Sequence, residues 1–267
     1  MLKSLLAAGL VFAFHGLAQA QPVPAKITAA GQITIAMFPA FPPLAYKDTT
    51  TGKMIGVDVE LGDAIAADLG IKASWVDVTY ESAVTSLKTG RIDMALSMVN
   101  LPESRDAVTF INYIQSGAQY FTLATLKEQF KAQDQLCGQA VGASRRGPFQ
   151  RETQRWSDDN CVAKGKPAIN AVGTEGSPDA RSQLKQGRLQ AVVQSAESIP
   201  YTMTLEPGIY ALIGTPFTDS HIAIGFPKDN EPLAAAIKGS LNRLIANGTY
   251  AAILGKYGLG DLKVGPQ

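Results

Sequence analysis

The 267-residue chain balances 24 basic against 23 acidic side chains, a formal net charge of +1, so its charge does not point to nucleic acid or an acidic membrane as partner. An apolar share of 46% with mixed charges describes a globular chain long enough for one large domain or two of about 120 residues. Beyond residue 20 the chain has a single histidine, His221, and a lone His is usually structural, whereas a metal site needs three or four converging ligands.

In chain order, Lys3 precedes an apolar run from Leu5 to Leu17, and Ala18-Gln19-Ala20 supplies a small-x-small cleavage pattern. Residues 1–20 therefore read as a secretory signal peptide, which places the mature chain in the periplasm after cleavage near Ala20. The run is shorter than the roughly 20 apolar residues that span a bilayer. No cysteine lies near the cleavage site, so no lipid anchor is expected.

Residues 32–36 (QITIA) form a β-branched strand, followed by a stiff turn, Phe38-Pro39-Ala40-Phe41-Pro42-Pro43-Leu44. Asp58 is placed to cap a helix whose apolar face is Leu61, Ile65 and Leu69, with Gly70 as its left-handed stop. A strand at 73–78, a helix at 82–88 ending at Gly90 and a strand at 92–97 complete a strand–helix alternation. The hexapeptide Leu87-Lys88-Thr89-Gly90-Arg91-Ile92 recurs as Leu184-Lys185-Gln186-Gly187-Arg188-Leu189, each copy a helix end, a glycine stop and an apolar strand. Two similarly built lobes follow from that repeat. Residues 222–226 make a late strand. Pro232 then opens a helix with the stripe Leu233, Ile237, Leu241 and Leu244, and a short helix carries Tyr250, Ile253, Leu254 and Tyr257. These late elements need a sheet to cover, and the first lobe is the expected host.

The fold class expected is α/β: a two-lobed periplasmic-binding-protein fold, each lobe a mixed sheet flanked by helices, joined by two crossover strands near 120–123 and 216–221. Lobe one would comprise 26–119 plus 222–267, and lobe two 120–221. In an oxidising compartment the isolated pair Cys137 and Cys161 is expected to form a disulfide, worth about 3 kcal/mol for a loop of this length.

Enzyme signatures are absent. The mature chain has one histidine, His221, and no Gly-x-Ser-x-Gly elbow, phosphate loop or dinucleotide glycine motif. No cofactor is expected.

Several short motifs, in this order behind a signal peptide, carry a family resemblance. They are Phe41-Pro42-Pro43, the run from Gly56 to Leu61, Asn100-Leu101-Pro102-Glu103, Phe110-Ile111-Asn112-Tyr113, Leu136-Cys137-Gly138, Gly187-Arg188 and Asn247-Gly248-Thr249-Tyr250. The chain resembles the extracytoplasmic solute-binding proteins of polar amino-acid ABC importers over nearly its whole mature length. The resemblance implies that the lobes close on a small polar solute (an amino acid, an amino-acid derivative or a small organic anion). It also implies a monomer that presents the solute to an inner-membrane permease. An enzyme on the same scaffold, dehydratase-like, and a periplasmic sensor are the alternatives.

In such proteins an aromatic residue before the Pro-Pro turn packs on the ligand, here Phe41, and Tyr80 is placed as a second wall. Ser97, Met98 and Asn100 lie at the strand end that borders the cleft. An Arg that pairs with the ligand carboxylate falls on Ser104 in one register and Arg105 in another. The family's Asp for the ligand ammonium falls on Ser195, with Gln194 before it and Glu197 two residues on. The lobe-two loop reads Ser144-Arg145-Arg146-Gly147-Pro148-Phe149 in place of a Gly-Thr-Thr pattern. With Arg145 and Arg146 facing the cleft and no Asp, an anionic ligand, or an amino-acid derivative with a masked amine, is expected. With Glu197 in the place of the Asp, ordinary amino-acid binding is restored.

Overall fold

A computed structural model describes residues 23–100, 104–145 and 148–267, apart from the side chains of Tyr80 and Glu81. The expected signal peptide lies outside the described residues. The chain runs through α1 (Ala25–Ala30), β1 (Gln32–Met37), β2 (Ala40–Phe41), β3 (Ala45–Lys47), β4 (Met54–Ile55), α2 (Val57–Asp68), β5 (Lys72–Asp77), α3 (Tyr80–Lys88), β6 (Met94–Val99) and β7 (Val108–Ser116). It continues through β8 (Ala118–Leu123), β9 (Ala140–Ser144), α4 (Phe149–Asn160), β10 (Asn170–Thr174), α5 (Ser177–Lys185), β11 (Ala191–Ser195), α6 (Ile199–Leu205) and β12 (Tyr210–Ile213). It ends with β13 (Ser220–Pro227), α7 (Glu231–Ala246) and α8 (Thr249–Lys256).

Two five-stranded sheets share one plan. The first has the order β5-β1-β6-β13-β7 and the second β10-β9-β11-β8-β12. In each, the first three strands and the fifth run parallel, and the fourth runs against its neighbours on both sides. The fourth place is filled by the strand that arrives from the other sheet: β13 in the first, β8 in the second. Each sheet with its helices is one lobe of the two-lobed α/β fold.

The repeat read from the sequence sits where the two lobes correspond. α3 and α5 both stop at a glycine in the left-handed region, Gly90 at φ +68° and Gly187 at φ +72°. Helices cover both faces of each sheet, which is why strands such as β6 are apolar without alternation. In the first lobe Leu233, Ile237, Leu241 and Leu244 of α7 and Tyr250 and Leu254 of α8 pack with Ile33, Leu61 and Ile224, while Ala83 and Leu87 of α3 cover the opposite face. Each such side chain contributes about 1.5–3 kcal/mol of apolar burial. In the second lobe Val141 and Phe130 pack on one side and Leu184, Val192 and Ile199 on the other. Cys137 and Cys161 are joined, with 5.6 Å between their Cα atoms, tying the segment before β9 to the end of α4.

The chain changes sheet at Gly117 and again between Ile213 and Ser220. Residues 120–123, expected as a crossover, instead pair with β11 and β12 inside the second sheet, and His221 pairs with Gln115 inside the first. Gly117 adopts φ +145°, and a Cβ there would stand 2.1 Å from the Thr218 carbonyl oxygen. The Ala118 amide donates to Thr218 Oγ1 at 2.8 Å, so the two connections touch where they pass between lobes.

Candidate functional site

The C-terminal ends of the parallel strands, where open α/β sheets bind ligands, face the crossing point. A cavity of about 340 Å³ opens there, bounded by Phe41, Val99 and Ile222 from the first lobe, Phe149, Glu152, Ser195 and Glu197 from the second, and Ser116, Gly117 and Thr218 at the connections. It adjoins an apolar recess of about 500 Å³ on the first lobe, through the shared residues Phe41 and Val99. It also adjoins a niche of about 100 Å³ on the second, through Phe149 and Ser195. A roomier groove of about 610 Å³, between α6 and α8, is bounded by Tyr46, Glu60, Tyr201 and Lys256. Its carboxylate is already taken, because Glu60 accepts from Lys256 and Tyr257.

The end of β6 is shaped by a bulge. Against β13, Ala223 pairs with Met98 and Gly225 with Ala95, so β6 holds one residue more than its partner. The extra residue turns Leu96 and Ser97 toward the same side. Leu96 joins the α2-side core, and Ser97 Oγ donates to Asp58 Oδ2 on α2 at 2.6 Å. Met98 is thereby sent to the opposite face. It packs in the α3-side core against Gly225, where a Cβ would meet its sulfur at 2.3 Å, so it is no cleft residue. Val99 returns to the cleft.

Asp58 does not cap α2 as expected. Gly56 occupies the N-cap position, and the Asp58 carboxylate points inward to Ser97 and Tyr113. Burial pushes its carboxyl up to about 6, against the two hydrogen bonds it accepts.

Of the other expected residues, Phe41, Phe149, Ser195 and Glu197 meet around the central cavity, Ser97 borders the apolar recess, and Gln194 borders the niche, where its Nε2 donates to Ser177 Oγ. Asn100 lies one residue past Val99, with its Nδ2 donating to Asn112 and its Oδ1 accepting from Arg105 Nε at 2.9 Å. Arg105 is exposed and hangs on that bond; among the described residues Ser104 makes no comparable side-chain contact. Arg145 is not brought to the cavity. Its guanidinium pairs with Glu175 at 2.5 Å, its stem lies over Gly173, and more than half of it is in solvent. Arg146 and the side chain of Tyr80 lie outside the described residues.

Of the two arginines expected at the cleft, Arg145 is turned away from it. Among the described residues the central cavity is walled by two carboxylates, Glu152 and Glu197, and by no Lys or Arg. Glu197 is 1% exposed and accepts from Ser116 Oγ at 2.5 Å. Burial raises its carboxyl above the usual range, against the hydrogen bond from Ser116. Burial also raises Glu152, against the nearby Arg151 and Arg155. Glu152 was missed in the sequence because it lies inside a polar helix, one turn past Phe149, and only the docking of α4 aims it at the crossing point. Among the described residues no group of three or more His, Cys, Asp or Glu side chains is placed to hold a metal ion.

The family description "Bacterial extracellular solute-binding proteins, family 3" matches residues 33–260, from β1 to the end of the last helix and beyond. The chain belongs to that family. Among its relatives, the L-arginine-binding protein of Pseudomonas aeruginosa is 28% identical over 244 residues, covering 84% of this chain and 87% of that one. The arginine-binding protein ArgT of Corynebacterium glutamicum is 25% identical over 238 residues, covering 89% and 77%. Among solved structures, substrate-binding domain 2 of Lactococcus lactis GlnP, in an open conformation, superposes with a TM-score of 0.76 at 22% identity, covering 89% of this chain and 97% of that one. The last likeness concerns the fold; the family match carries the solute-binding role.

Proposed function

We propose that this extracytoplasmic solute-binding protein captures a cationic or zwitterionic amino acid, with a basic side chain in the first instance, and hands it to an ABC permease. The observation that carries this reading is the buried Glu197 at the wall of the interlobe cavity, with Glu152 beside the same space and no cation among the described lining residues. A buried carboxylate without a counter-ion is costly, and an ammonium or guanidinium group supplies one. Glu197 thus serves in the place left uncharged by Ser195. Phe41 and Phe149 give the aliphatic part of the solute its apolar walls. Arg105, held over Asn100 at the end of β6, receives the solute carboxylate. The named specificities of the two arginine-binding relatives agree with this choice.

The protein works by closure, without chemical turnover, as a periplasmic monomer released by cleavage near Ala20. Its lobes are 23–116 with 220–267, and 118–213, hinged at Gly117 and the connection through Thr218. The test is calorimetry of protein freed of co-purified solute by unfolding and refolding, against L-arginine, L-lysine, L-glutamine, L-glutamate and succinate. The basic amino acids are expected to bind tightest. Tightest binding of succinate or glutamate would overturn the assignment and return the site to the anionic ligand that the Arg145-Arg146 loop suggested.

A further inference from the structure

Ser97 is the one residue other than glycine with positive φ among the described residues, at +54°. A serine held there is strained, and such strain persists only where the surroundings over-determine the backbone. The surroundings here are a closed polar triangle. Ser97 Oγ donates to Asp58 Oδ2 at 2.6 Å, Tyr113 Oη donates to Asp58 Oδ1 at 2.5 Å, and the Ser97 amide donates to Tyr113 Oη at 3.1 Å. Asp58 and Tyr113 are wholly buried, and Ser97 is 2% exposed. Tyr113 is braced in turn, since Tyr250 Oη on α8 donates to its carbonyl oxygen at 2.7 Å. A buried carboxylate at this place costs the fold more than an apolar core would, so its presence asks for a use beyond packing. The triangle closes on the bulge that sends Met98 away and brings Val99 back to the cleft wall. Asn100, which carries Arg105, comes next.

We propose that Asp58 and Tyr113 are positioning residues for the solute site: they hold Ser97 in its left-handed conformation, and with it the register of the β6 end that forms the first-lobe wall. They touch no solute themselves. The inference rests on the reading of the interlobe cleft as the solute site.

The test is a cycle in two backgrounds. Glycine adopts φ near +54° without the strain, so Ser97→Gly keeps the bulge without needing the triangle. Asp58→Asn and Tyr113→Phe are made in the wild-type chain and in the Ser97→Gly chain; the tyrosine variant serves if the buried Asn chain does not fold. Amide hydrogen exchange of residues 96–100 is read without solute, and the Kd for L-arginine is read by calorimetry. In the wild-type background each variant is expected to speed exchange of this segment and to weaken binding about ten-fold, the size of one strained residue relaxing. In the glycine background each is expected to change the Kd by less than about three-fold, the ordinary limit of additivity error. Equal losses in both backgrounds, or no loss in either, would overturn the proposal; a merely structural role would lower the melting temperature in both and leave the Kd alone. If the wild-type chain gives no heat with L-arginine, the reading of the cleft fails, and the exchange data still decide whether the triangle holds β6.

Discussion

Replacing Glu197 by Gln separates recognition from stability, because the two respond in opposite directions. Gln fills the same volume and keeps an oxygen for Ser116 Oγ, so the bond at 2.5 Å has a neutral successor. What is lost is the charge. A hydrogen bond to a charged group contributes about 1.5–3 kcal/mol, so the Kd for L-arginine is expected to rise about 10- to 150-fold. Stability goes the other way. Burial raises the Glu197 carboxyl above its unfolded value, so the native state holds the proton more tightly than the unfolded state. Its contribution is fully present below the unfolded pKa and is lost as pH rises through the folded pKa. The Gln chain has no such loss. Its melting temperature is therefore expected to match wild type near pH 4.5 and to equal or exceed it at pH 8, while calorimetry at pH 8 shows the weakened binding. Unchanged affinity would refute the assignment of Glu197 to a cation. A melting temperature that falls further below wild type as pH rises would show that the charged form stabilises the fold, contrary to the reasoning.

Reducing the Cys137–Cys161 bond, or replacing both residues by Ser, releases a loop with a sequence separation of 24 and is expected to cost about 3 kcal/mol, read as a drop in urea midpoint at constant slope. Arg145→Ala removes an exposed pair with Glu175 and is expected to leave solute affinity within about two-fold and stability within about 1 kcal/mol, by calorimetry and denaturant melts. Asp58 has a folded pKa of about 6, raised above the usual carboxylate value. Its contribution to stability is thus present below about pH 4 and lost as pH rises through 6, so the melting temperature of wild type relative to Asp58→Asn is expected to fall as pH rises from 4 to 8.

Much of the fold is written locally. The glycines after Lys88 and Lys185 stop two helices in the same left-handed geometry, and the strands that follow are apolar without alternation because helices cover both faces. The stripe from Leu233 to Leu244 needed a sheet to cover, and the first lobe was the sheet with a face to spare. These features depend on neighbours within a turn or two of the chain, so composition and spacing determine them. The crossing points were displaced because hydrophobic runs do not record which strand they pair with. Residues 120–123 look like a connector and are interior to a sheet.

The site was decided further from the sequence. Asp58 has the spacing of a helix cap, but a cap bonds its own helix, and this carboxylate bonds β6 and β7 instead. Met98 looked like a cleft residue until one bulged residue reversed its face. Arg145 stood on a loop that suggested an anionic ligand, and a partner 30 residues away claimed it. The sequence by itself pointed to two α/β lobes through its repeat, and the family resemblance put Ser195 where an Asp was expected. Only the tertiary structure brought Glu152 and Glu197 to one cavity and turned Arg145 away from it. The two carboxylates come from α4 and from the loop after β11, 45 residues apart, and no spacing along the chain encodes that meeting.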